Sequence, residues 1–298
     1  MKSDKIIIGD SIDSAESMPS YFYTDEGIYD KVLNQILVNS WQLVHHHSIL
    51  TKNIMPFTFL KSSINEPLVL TNKENQMYIL SNVCSHRGHI VQDRVSNNKQ
   101  LQCSYHGRKF CLDGKFISAP GFEDTKNFPR NTDNLKNLPI FSWNSFIFTV
   151  LNEKYQLKPI IKQVDDRIPW FPFDMLVLDE KNSQEYLINA NWALYCENYL
   201  EGLHVPFVHS GLSKDMISKT YKTEILNYCI LQTAETKDTS LSLNHIAGED
   251  VSSNIYAYYF FIFPNMMINV YNWGISINIV EPISIDKTRV RFLSFPIK

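Results

Sequence analysis

Residues 83–110, VCSHRGHIVQDRVSNNKQLQCSYHGRKF, decide the fold of this chain. They contain two short pairs, Cys84-x-His86 and Cys103-x2-His106, with sixteen residues between them. Each pair lies in a turn-rich segment and supplies one thiolate and one imidazole. A [2Fe–2S] cluster with two cysteines on one iron and two histidines on the other needs this supply. The pattern therefore predicts a protein that hands on one electron at a time.

A structural zinc ion is the alternative for the same four side chains. The commoner zinc spacing keeps the two cysteines in one knuckle and the two histidines in the other, whereas each knuckle here is mixed. Gly88 and Gly107 follow the two pairs. Glycine permits the tight backbone that turns amide N–H groups toward cluster sulfurs. These features favour iron–sulfur, and colour separates the two, since a zinc protein is colourless.

The bulk composition is that of an ordinary globular protein with room for two domains. Hydrophobic residues make up 44% of the 298 residues, and the net charge of −3 gives no electrostatic footprint for nucleic acid. The apolar run 6–8 is too short for a signal peptide, and the aromatic run 256–263 ends at Pro264 and cannot span a bilayer. Three of the five cysteines remain after the two ligands, so we expect no disulfide scaffold and a cytoplasmic location.

Periodicity predicts a helix at the start of the chain, followed by strands in the rest of the first half and in the second half. The first segment, 18–40, has apolar residues at helical spacing, with Ser20 or Thr24-Asp25-Glu26 as the cap. Hairpins are predicted around 72–75 and 113–114, and a closing strand over 143–151. Segment 166–178 reads as a link, 188–209 begins as a helix, and 240–247 is a loop. The predicted strands of the second half are 255–263, 266–271, 275–280 and 289–295.

A second group of candidate metal ligands follows the predicted helix. His204 and His209 are five residues apart, about 140° on an ideal helix, which is awkward for one metal ion. Pro206 disfavours helical geometry at Val205 and lets His209 swing back toward His204. Two imidazoles and one carboxylate form the facial triad of non-haem Fe(II) oxygenases. The spacing of His204 and His209 alone does not define an iron site, because two histidines five residues apart are more often unrelated.

The two groups together resemble one family. The paired motifs, continued by YHGRKF (105–110) and DGKF (113–116), look like a Rieske domain. The pattern N-W-x4-E-N-x2-E-x2-H-x4-H over 191–209 resembles the catalytic half of Rieske non-haem iron ring-hydroxylating oxygenases, large (α) subunit. Residues 17–44 are similar to the same family's N-terminus. One departure is Arg108, where the family often has Trp, and it should alter the surface of the cluster and its partner contacts.

The resemblance implies an α+β fold in three parts. An N-terminal segment and helix (1–40) would pack on the catalytic domain, a small all-β Rieske domain would span 41–155, and a helix-grip-like catalytic domain with an antiparallel sheet packed on a helix would span 156–298. Cys84, His86, Cys103 and His106 would hold the [2Fe–2S] cluster, and His204 and His209 the mononuclear Fe(II). The remaining implied roles belong to Glu201 as a bridge to His106 of a neighbouring subunit, Asn198 near the iron and Glu197 as a brace for the helix.

The third iron ligand of the family, a carboxylate on a C-terminal helix, has no counterpart in the sequence. Asp286 reads as a turn residue, and Glu249 and Asp250 lie in a polar loop. We expect either that the chain is truncated relative to its family or that Glu201 or water completes the iron shell.

The implied activity is hydroxylation of a small organic molecule, aromatic or quaternary ammonium, by O₂, in a homotrimer reduced by a flavin-dependent reductase or ferredoxin. The rival hypothesis is a degenerate homologue that only carries electrons or binds a ligand. Asn265 and Asn269 are candidate substrate contacts on the aromatic-rich sheet. Three other groups of histidines are weaker candidates for a functional role. The histidines at 45–47 should alternate in burial, His89 should lie near the cluster without binding it, and His245 lies in a loop. Cys111 and Cys196 should be small buried hydrophobes.

Overall fold

The structure is a computed structural model that describes residues 8–9, 11, 14–243 and 250–298. The described helices are α1 (Tyr21–Thr24), α2 (Glu26–Lys31), α3 (Lys158–Arg167), α4 (Trp192–Tyr199), α5 (Val205–Val208) and α6 (Ser210–Asp215). The strands of the first half are β1 (Gln42–His46), β2 (Ile54–Phe59), β3 (Glu66–Lys73), β4 (Gln76–Ser81), β5 (Gln100–Gln102), β6 (Lys109–Cys111), β7 (Phe116–Ser118), β8 (Asn137–Leu138), β9 (Ile140–Trp143) and β10 (Phe146–Thr149). Those of the second half are β11 (Asp179–Ile188), β12 (Met216–Leu226), β13 (Cys229–Thr236), β14 (Ile255–Ile262), β15 (Met266–Tyr271), β16 (Gly274–Ser284) and β17 (Lys287–Pro296).

The N-terminal helical run is confirmed, with Asp25 as its cap. The Asp25 carboxylate accepts a hydrogen bond from the Ile28 N–H at 3.0 Å, whereas Ser20 makes no side-chain cap. The run continues beyond α2 through a π-helical and a 3₁₀ turn to residue 39. Its buried residues Val32 and Leu37 belong to the same core cluster as Trp192 of α4. The entry segment therefore packs on the second half of the chain.

Two small antiparallel sheets form the body of the first half. The strand orders are β2-β3-β4-β8 and β5-β6-β7. The β3–β4 hairpin turns at Glu74 and Asn75, both with positive φ. These are the last two residues of the predicted turn 72–75. The second predicted hairpin is β6–β7, with Gly114 at φ +85° in its turn. A compact core joins these sheets, with Val69, Leu80, Leu101 and Phe110 among its buried members.

The structure corrects the prediction of a single closing strand over 143–151. The chain forms a hairpin there, β9 and β10, which turns at Asn144 with φ +49°. Strand β10 also pairs with β1, so these three strands make a sheet of their own. Phe146 and Phe148 of β10 share a core cluster with Ile161 of α3. This sheet thus connects the first half to the second.

A seven-stranded antiparallel sheet dominates the second half, in the order β11-β17-β16-β15-β14-β13-β12. Strand residues alternate between its two faces. On one face Phe260 and Ile268 pack with α3, and on the other Phe261 and Met267 pack with α4. The fold is therefore α+β, with small β-sheets beside a helix-covered antiparallel sheet, as the sequence predicts.

Three strands of this sheet, β11, β12 and β13, are not predicted from the sequence. Strand β11 includes Ile188, which the sequence places at the start of the helix, and β12 and β13 form a long hairpin. Most residues of β11 and β12 are exposed or half-buried, so these strands lack the apolar alternation that marks a strand in sequence. The predicted link 166–178 contains the end of α3 and a 3₁₀ turn.

None of the described helices has the length and apolar character needed to cross a membrane. The predictions for His245 and Glu249, and part of the predicted loop 240–247, lie outside the described residues.

Candidate functional site

Two loops with the same hydrogen-bond pattern present the candidate cluster ligands. In the first, the Gly88 N–H donates to the Cys84 carbonyl at 3.0 Å and the Cys84 N–H donates to the His89 carbonyl at 2.8 Å. In the second, the Gly107 N–H donates to the Cys103 carbonyl at 3.0 Å. Both glycines have φ near +70°, a conformation that other residues rarely adopt. Local sequence therefore shapes both loops.

The four side chains separate into a buried thiol pair and an outer imidazole pair. Cys84 and Cys103 are 4% and 1% exposed and belong to the same buried core cluster. The His86 and His106 rings lie 4.8 Å apart, and His106 is exposed. Within the described part of the chain, no three Asp, Glu, His or Cys side chains gather around the position of a single metal ion. Two cysteines inside and two histidines outside are the donor set of a two-iron cluster with the thiolates on one iron and the imidazoles on the other.

The candidate iron ligands flank a break between two helices. Helix α4 starts at Asn191, whose side chain accepts from the Ala193 N–H at 3.0 Å, and α5 starts after His204 with Pro206 in its first turn. His209 ends α5. The two imidazole rings lie 5.1 Å apart and nearly perpendicular. The helix break therefore brings together the two histidines that an unbroken helix would separate.

Glu201 holds one of these imidazoles in place. The His204 Nδ1–H donates to Glu201 Oε1, and the Leu203 N–H donates to Glu201 Oε2. Burial would raise the pKa of Glu201, but these hydrogen bonds outweigh it and hold the pKa below its usual value. With Nδ1 occupied, the Nε2 atom of His204 is the one left for a metal ion. Both carboxylate oxygens are engaged, which disfavours Glu201 as the third iron ligand.

A cavity of about 250 Å³ opens beside the two histidines. Its lining consists of aromatic residues, uncharged polar residues and the His–Glu group, with a few aliphatic side chains. The aromatic members are Tyr195, Tyr199, Tyr221, Tyr259, Tyr271 and Phe292, and the uncharged polar members are Asn198, Gln232, Asn269, Ser276 and Asn278. Among the described residues, no lysine or arginine lines it. The cavity is suited to a small molecule with apolar surface and few hydrogen-bonding groups.

Sheet register builds the cavity floor. Gln232, Tyr259, Asn269 and Ser276 are direct partners in successive pairings from β13 to β16, so they form one row across four strands. Sequence reasoning identified only Asn269 of this row. The other three had no signal of their own, because the pairing of distant strands puts them in line.

Phenol groups of α4 and of strand β12 hydrogen-bond to this row. The Tyr199 O–H donates to Asn269 Oδ1 at 2.8 Å, and the Tyr221 O–H donates to Gln232 Oε1 at 2.9 Å. Burial raises the pKa of Tyr199 well above its usual value, and burial raises the pKa of Tyr195 and Tyr271 to about 12. These phenols remain protonated at neutral pH, so they offer neutral hydrogen-bond donors.

The two predicted substrate contacts lie in different places. Asn269 lines the cavity, and Asn265 does not. The Asn265 amide donates to Gln42 Oε1 at 3.0 Å and to the Val280 carbonyl at 2.9 Å, in a buried turn between β14 and β15. We therefore drop Asn265 from the substrate contacts. Asn198, predicted beside the iron, lines the cavity.

The remaining candidate residues do not line the cavity. His46 is buried against Phe146 and Phe295, and His47 is exposed. His89 lies at the surface, with Nε2 3.1 Å from Ser104 Oγ. Cys196 is buried as expected.

The prediction for Cys111 is corrected, because the residue is only half-buried. It lies in β6, the central strand of the β5-β6-β7 sheet, where Phe110 is buried and Cys111 is half-buried.

The candidate carboxylates for a third iron ligand also have other partners. Asp286 accepts from the Ser284 hydroxyl at 2.8 Å in the turn between β16 and β17. Asp250 accepts from the Tyr258 O–H at 2.8 Å and lies 3.0 Å from Arg167. Neither lines the cavity.

Two family models match the chain. Residues 40–129 match the Rieske [2Fe-2S] domain, and residues 173–295 match the catalytic domain of the ring hydroxylating alpha subunit. The chain belongs to the alpha-subunit family of the Rieske oxygenases. Its cofactors are those of the family, a [2Fe–2S] cluster and a mononuclear iron.

Relatives include monooxygenases and a dioxygenase. Choline monooxygenase of Arabidopsis thaliana is 26% identical over 94% of the chain, and the carnitine monooxygenase oxygenase subunit of Escherichia coli K12 is 26% identical over 86%. The 2-halobenzoate 1,2-dioxygenase large subunit of Burkholderia cepacia is 27% identical over 92%. The chain spans 68% of the length of the Arabidopsis enzyme and 67–68% of the two bacterial proteins. It spans 60% of the choline monooxygenase of Beta vulgaris.

Solved structures share the fold. A quaternary ammonium Rieske monooxygenase in complex with L-carnitine has a TM-score of 0.74 at 20% identity, covering 94% of this chain and 75% of that one. Naphthalene 1,2-dioxygenase from Rhodococcus sp. has a TM-score of 0.71 at 19% identity, covering 93% and 73%.

Proposed function

We propose that this chain is the oxygenase component that hydroxylates a small organic cation. The observation that carries the proposal is the His204–His209 pair, oriented by Glu201, at the edge of an aromatic cavity. When bound, the cluster supplies single electrons and the mononuclear iron activates O₂. The boundaries 1–40, 41–155 and 156–298 are part of this proposal.

The protein residues have separable tasks. Cys84, Cys103, His86 and His106 hold the cluster, and His204 and His209 hold the mononuclear iron. Glu201 fixes the tautomer and orientation of His204, a task that outer-shell carboxylates perform at metal sites. Asn198 and Asn269 offer polar groups to the substrate inside the cavity.

The lining favours a quaternary ammonium substrate over an aromatic acid. Aromatic faces attract a cation, and six aromatic side chains line the cavity. No lysine or arginine among the described lining residues can pair with a substrate carboxylate. We therefore expect a cation with a neutral polar tail, such as choline, to be hydroxylated faster than carnitine or benzoate. Product analysis with the three compounds tests this, and preference for benzoate would contradict it.

Electron delivery is proposed to cross between copies of the chain. Leu203 and Phe207 are 82% and 89% exposed beside Glu201, and Val208 is also exposed. Exposed apolar patches of this kind mark protein interfaces. His106 is exposed as well, so a homotrimer in which His106 of one copy approaches Glu201 of the next fits both surfaces. The mass of the purified protein in solution tests this, and a monomer at working concentration would contradict it.

The external donor is proposed to be a flavin-dependent reductase or a ferredoxin, and a cytoplasmic location remains a prediction from the cysteine content. Reduction of the cluster by one of these donors with NAD(P)H, and failure without it, is the expected result. Equal reduction by NAD(P)H alone would contradict an external donor.

His204→Ala tests the proposed activity against the electron-carrier alternative. We expect about three irons per chain in the unmodified protein and about two in the variant, because only the mononuclear site is removed. Product formation should disappear while the visible absorbance of the cluster is unchanged. An unmodified protein with about two irons and no product would instead support the electron carrier.

A further inference from the structure

Arg108 joins the two cluster loops from inside the protein. Its Nη1 donates to Ser85 Oγ at 2.8 Å, and Ser85 stands between two candidate ligands of the first loop. Its carbonyl accepts from the Cys103 N–H at 2.9 Å, which closes the second loop. The side chain is 4% exposed. A permanent positive charge is therefore buried two residues from His106 in sequence and in contact with Ser85, the direct neighbour of Cys84 and His86.

Three aromatic rings shield this charge from water. The guanidinium carbon lies 5.1 Å from the centre of the Phe116 ring, 6.0 Å from that of Phe122 and 5.4 Å from that of Phe128. Phe122 also contacts His86, with 5.7 Å between ring centres. Salt screens a buried charge much less than an exposed one, so the influence of Arg108 on its surroundings should persist at high ionic strength.

The corresponding residue of the first loop shows that loop closure does not require a buried cation. The His89 carbonyl accepts from the Cys84 N–H in the first loop, just as the Arg108 carbonyl accepts from the Cys103 N–H in the second. The His89 side chain is exposed and contacts Ser104 instead. The inward arginine is therefore an additional feature of the second loop.

Charge around the guanidinium is only partly balanced. Asp133 is buried and lies 3.3 Å from Arg108 Nη2 and 3.2 Å from Arg130 Nε. The Arg130 side chain is 69% exposed. Two cations thus share one carboxylate, and only one of the two cations is buried.

We propose that Arg108 raises the reduction potential of the cluster, an inference that rests on the proposed ligation by Cys84, His86, Cys103 and His106. Reduction adds one negative charge to the cluster, and a buried cation nearby stabilises the reduced form. Cluster potentials respond to net charge, hydrogen bonds and exposure, and Arg108 supplies the charge.

The test is a spectroscopic redox titration of the full protein and three variants. Arg108→Gln should lower the midpoint potential by about 59 mV or more, a tenfold change in the one-electron reduction equilibrium. Arg108→Lys keeps the charge and should stay near the unmodified value. Arg130→Gln, the matched loss of an exposed cation on the same carboxylate, should shift the potential far less. The Arg108→Gln shift should persist at high salt.

Equal shifts in Arg108→Gln and Arg130→Gln would overturn the inference. So would an Arg108→Lys shift as large as that of Arg108→Gln, because geometry and not charge would then be responsible. If Arg108→Gln does not retain its cluster, Arg108→Met takes its place as the variant without the charge: a lowered potential supports the inference, and an unchanged or raised one refutes it. An unmodified protein without a Rieske spectrum would refute the ligation itself, whereas a Rieske spectrum with unmoved potentials refutes only the role of Arg108.

Discussion

The two metal sites of this chain are built in opposite ways. The cluster site consists of two short loops, each closed by its own backbone hydrogen bonds and each containing its ligands. The iron site draws its histidines from a helix break and its cavity from four strands whose residues are far apart in sequence. The first site is locally determined, and the second depends on long-range packing.

This difference predicts different responses to substitution. A change at a cluster ligand removes a bond that nothing else replaces, but leaves the sheet and cavity intact. A change in the supports of the iron site alters orientation by degrees. Effects should therefore be large and confined to one site in the first region, and graded in the second.

Cys103→Ser should give the largest effect. A buried thiolate ligand is lost, so we expect no [2Fe–2S] absorbance in the purified variant. Cys111→Ser removes a half-buried cysteine of β6, the strand that follows the second loop, and is the matched control that should keep the full absorbance. Retention of the cluster in Cys103→Ser, or its loss in Cys111→Ser, would show that the ligands are misassigned.

Glu201→Gln should have an intermediate effect confined to the second site. The amide cannot accept from both His204 and Leu203 as the carboxylate does, and loss of such outer-shell partners typically costs about 10–100-fold in activity or metal affinity. Turnover and bound iron should be measured beside Glu185→Gln, whose exposed side chain does not line the cavity. An unaffected Glu201→Gln enzyme would remove Glu201 from the site.

Tyr23→Phe should have the smallest effect. The Tyr23 O–H donates to both carboxylate oxygens of Glu197, at 2.7 and 2.8 Å, and so fixes the N-terminal helix to α4. Because the contact is only partly buried, we expect a loss of about 1 kcal/mol in the free energy of unfolding. Turnover should fall by less than about threefold. Urea unfolding should compare Tyr23→Phe with Tyr21→Phe, a change at an exposed neighbouring residue. Equal stabilities of the two variants would argue against a bracing role for the Tyr23–Glu197 contact.

Sequence reasoning succeeded where structure is local. The loops around Gly88 and Gly107, the hairpin at Gly114 and the helix break at Pro206 all follow from residues within a few positions of each other. Strands β14 and β15 were also found, because burial on both faces leaves a continuous hydrophobic signal. Strand β17 was found from the alternation of its residues.

It was less successful where pairing of distant strands decides. Asn265 and Asn269 lie four residues apart on similar apolar backgrounds, yet one occupies a buried turn and the other the cavity row. Gln232, Tyr259 and Ser276 join that row only through sheet register. Arg108 looked like a surface change in sequence, and its burial becomes visible only when Phe122 and Phe128 close over it.

The central claim is that two cysteines and two histidines of these loops bind a two-iron cluster. Pulsed electron paramagnetic resonance of the reduced protein, grown with ¹⁵N-histidine, tests it most directly. We expect nitrogen couplings from two histidines, unchanged in His89→Gln and absent together with the cluster signal in His106→Ala. A colourless protein containing zinc, or a cluster signal without histidine nitrogen coupling, would contradict the claim.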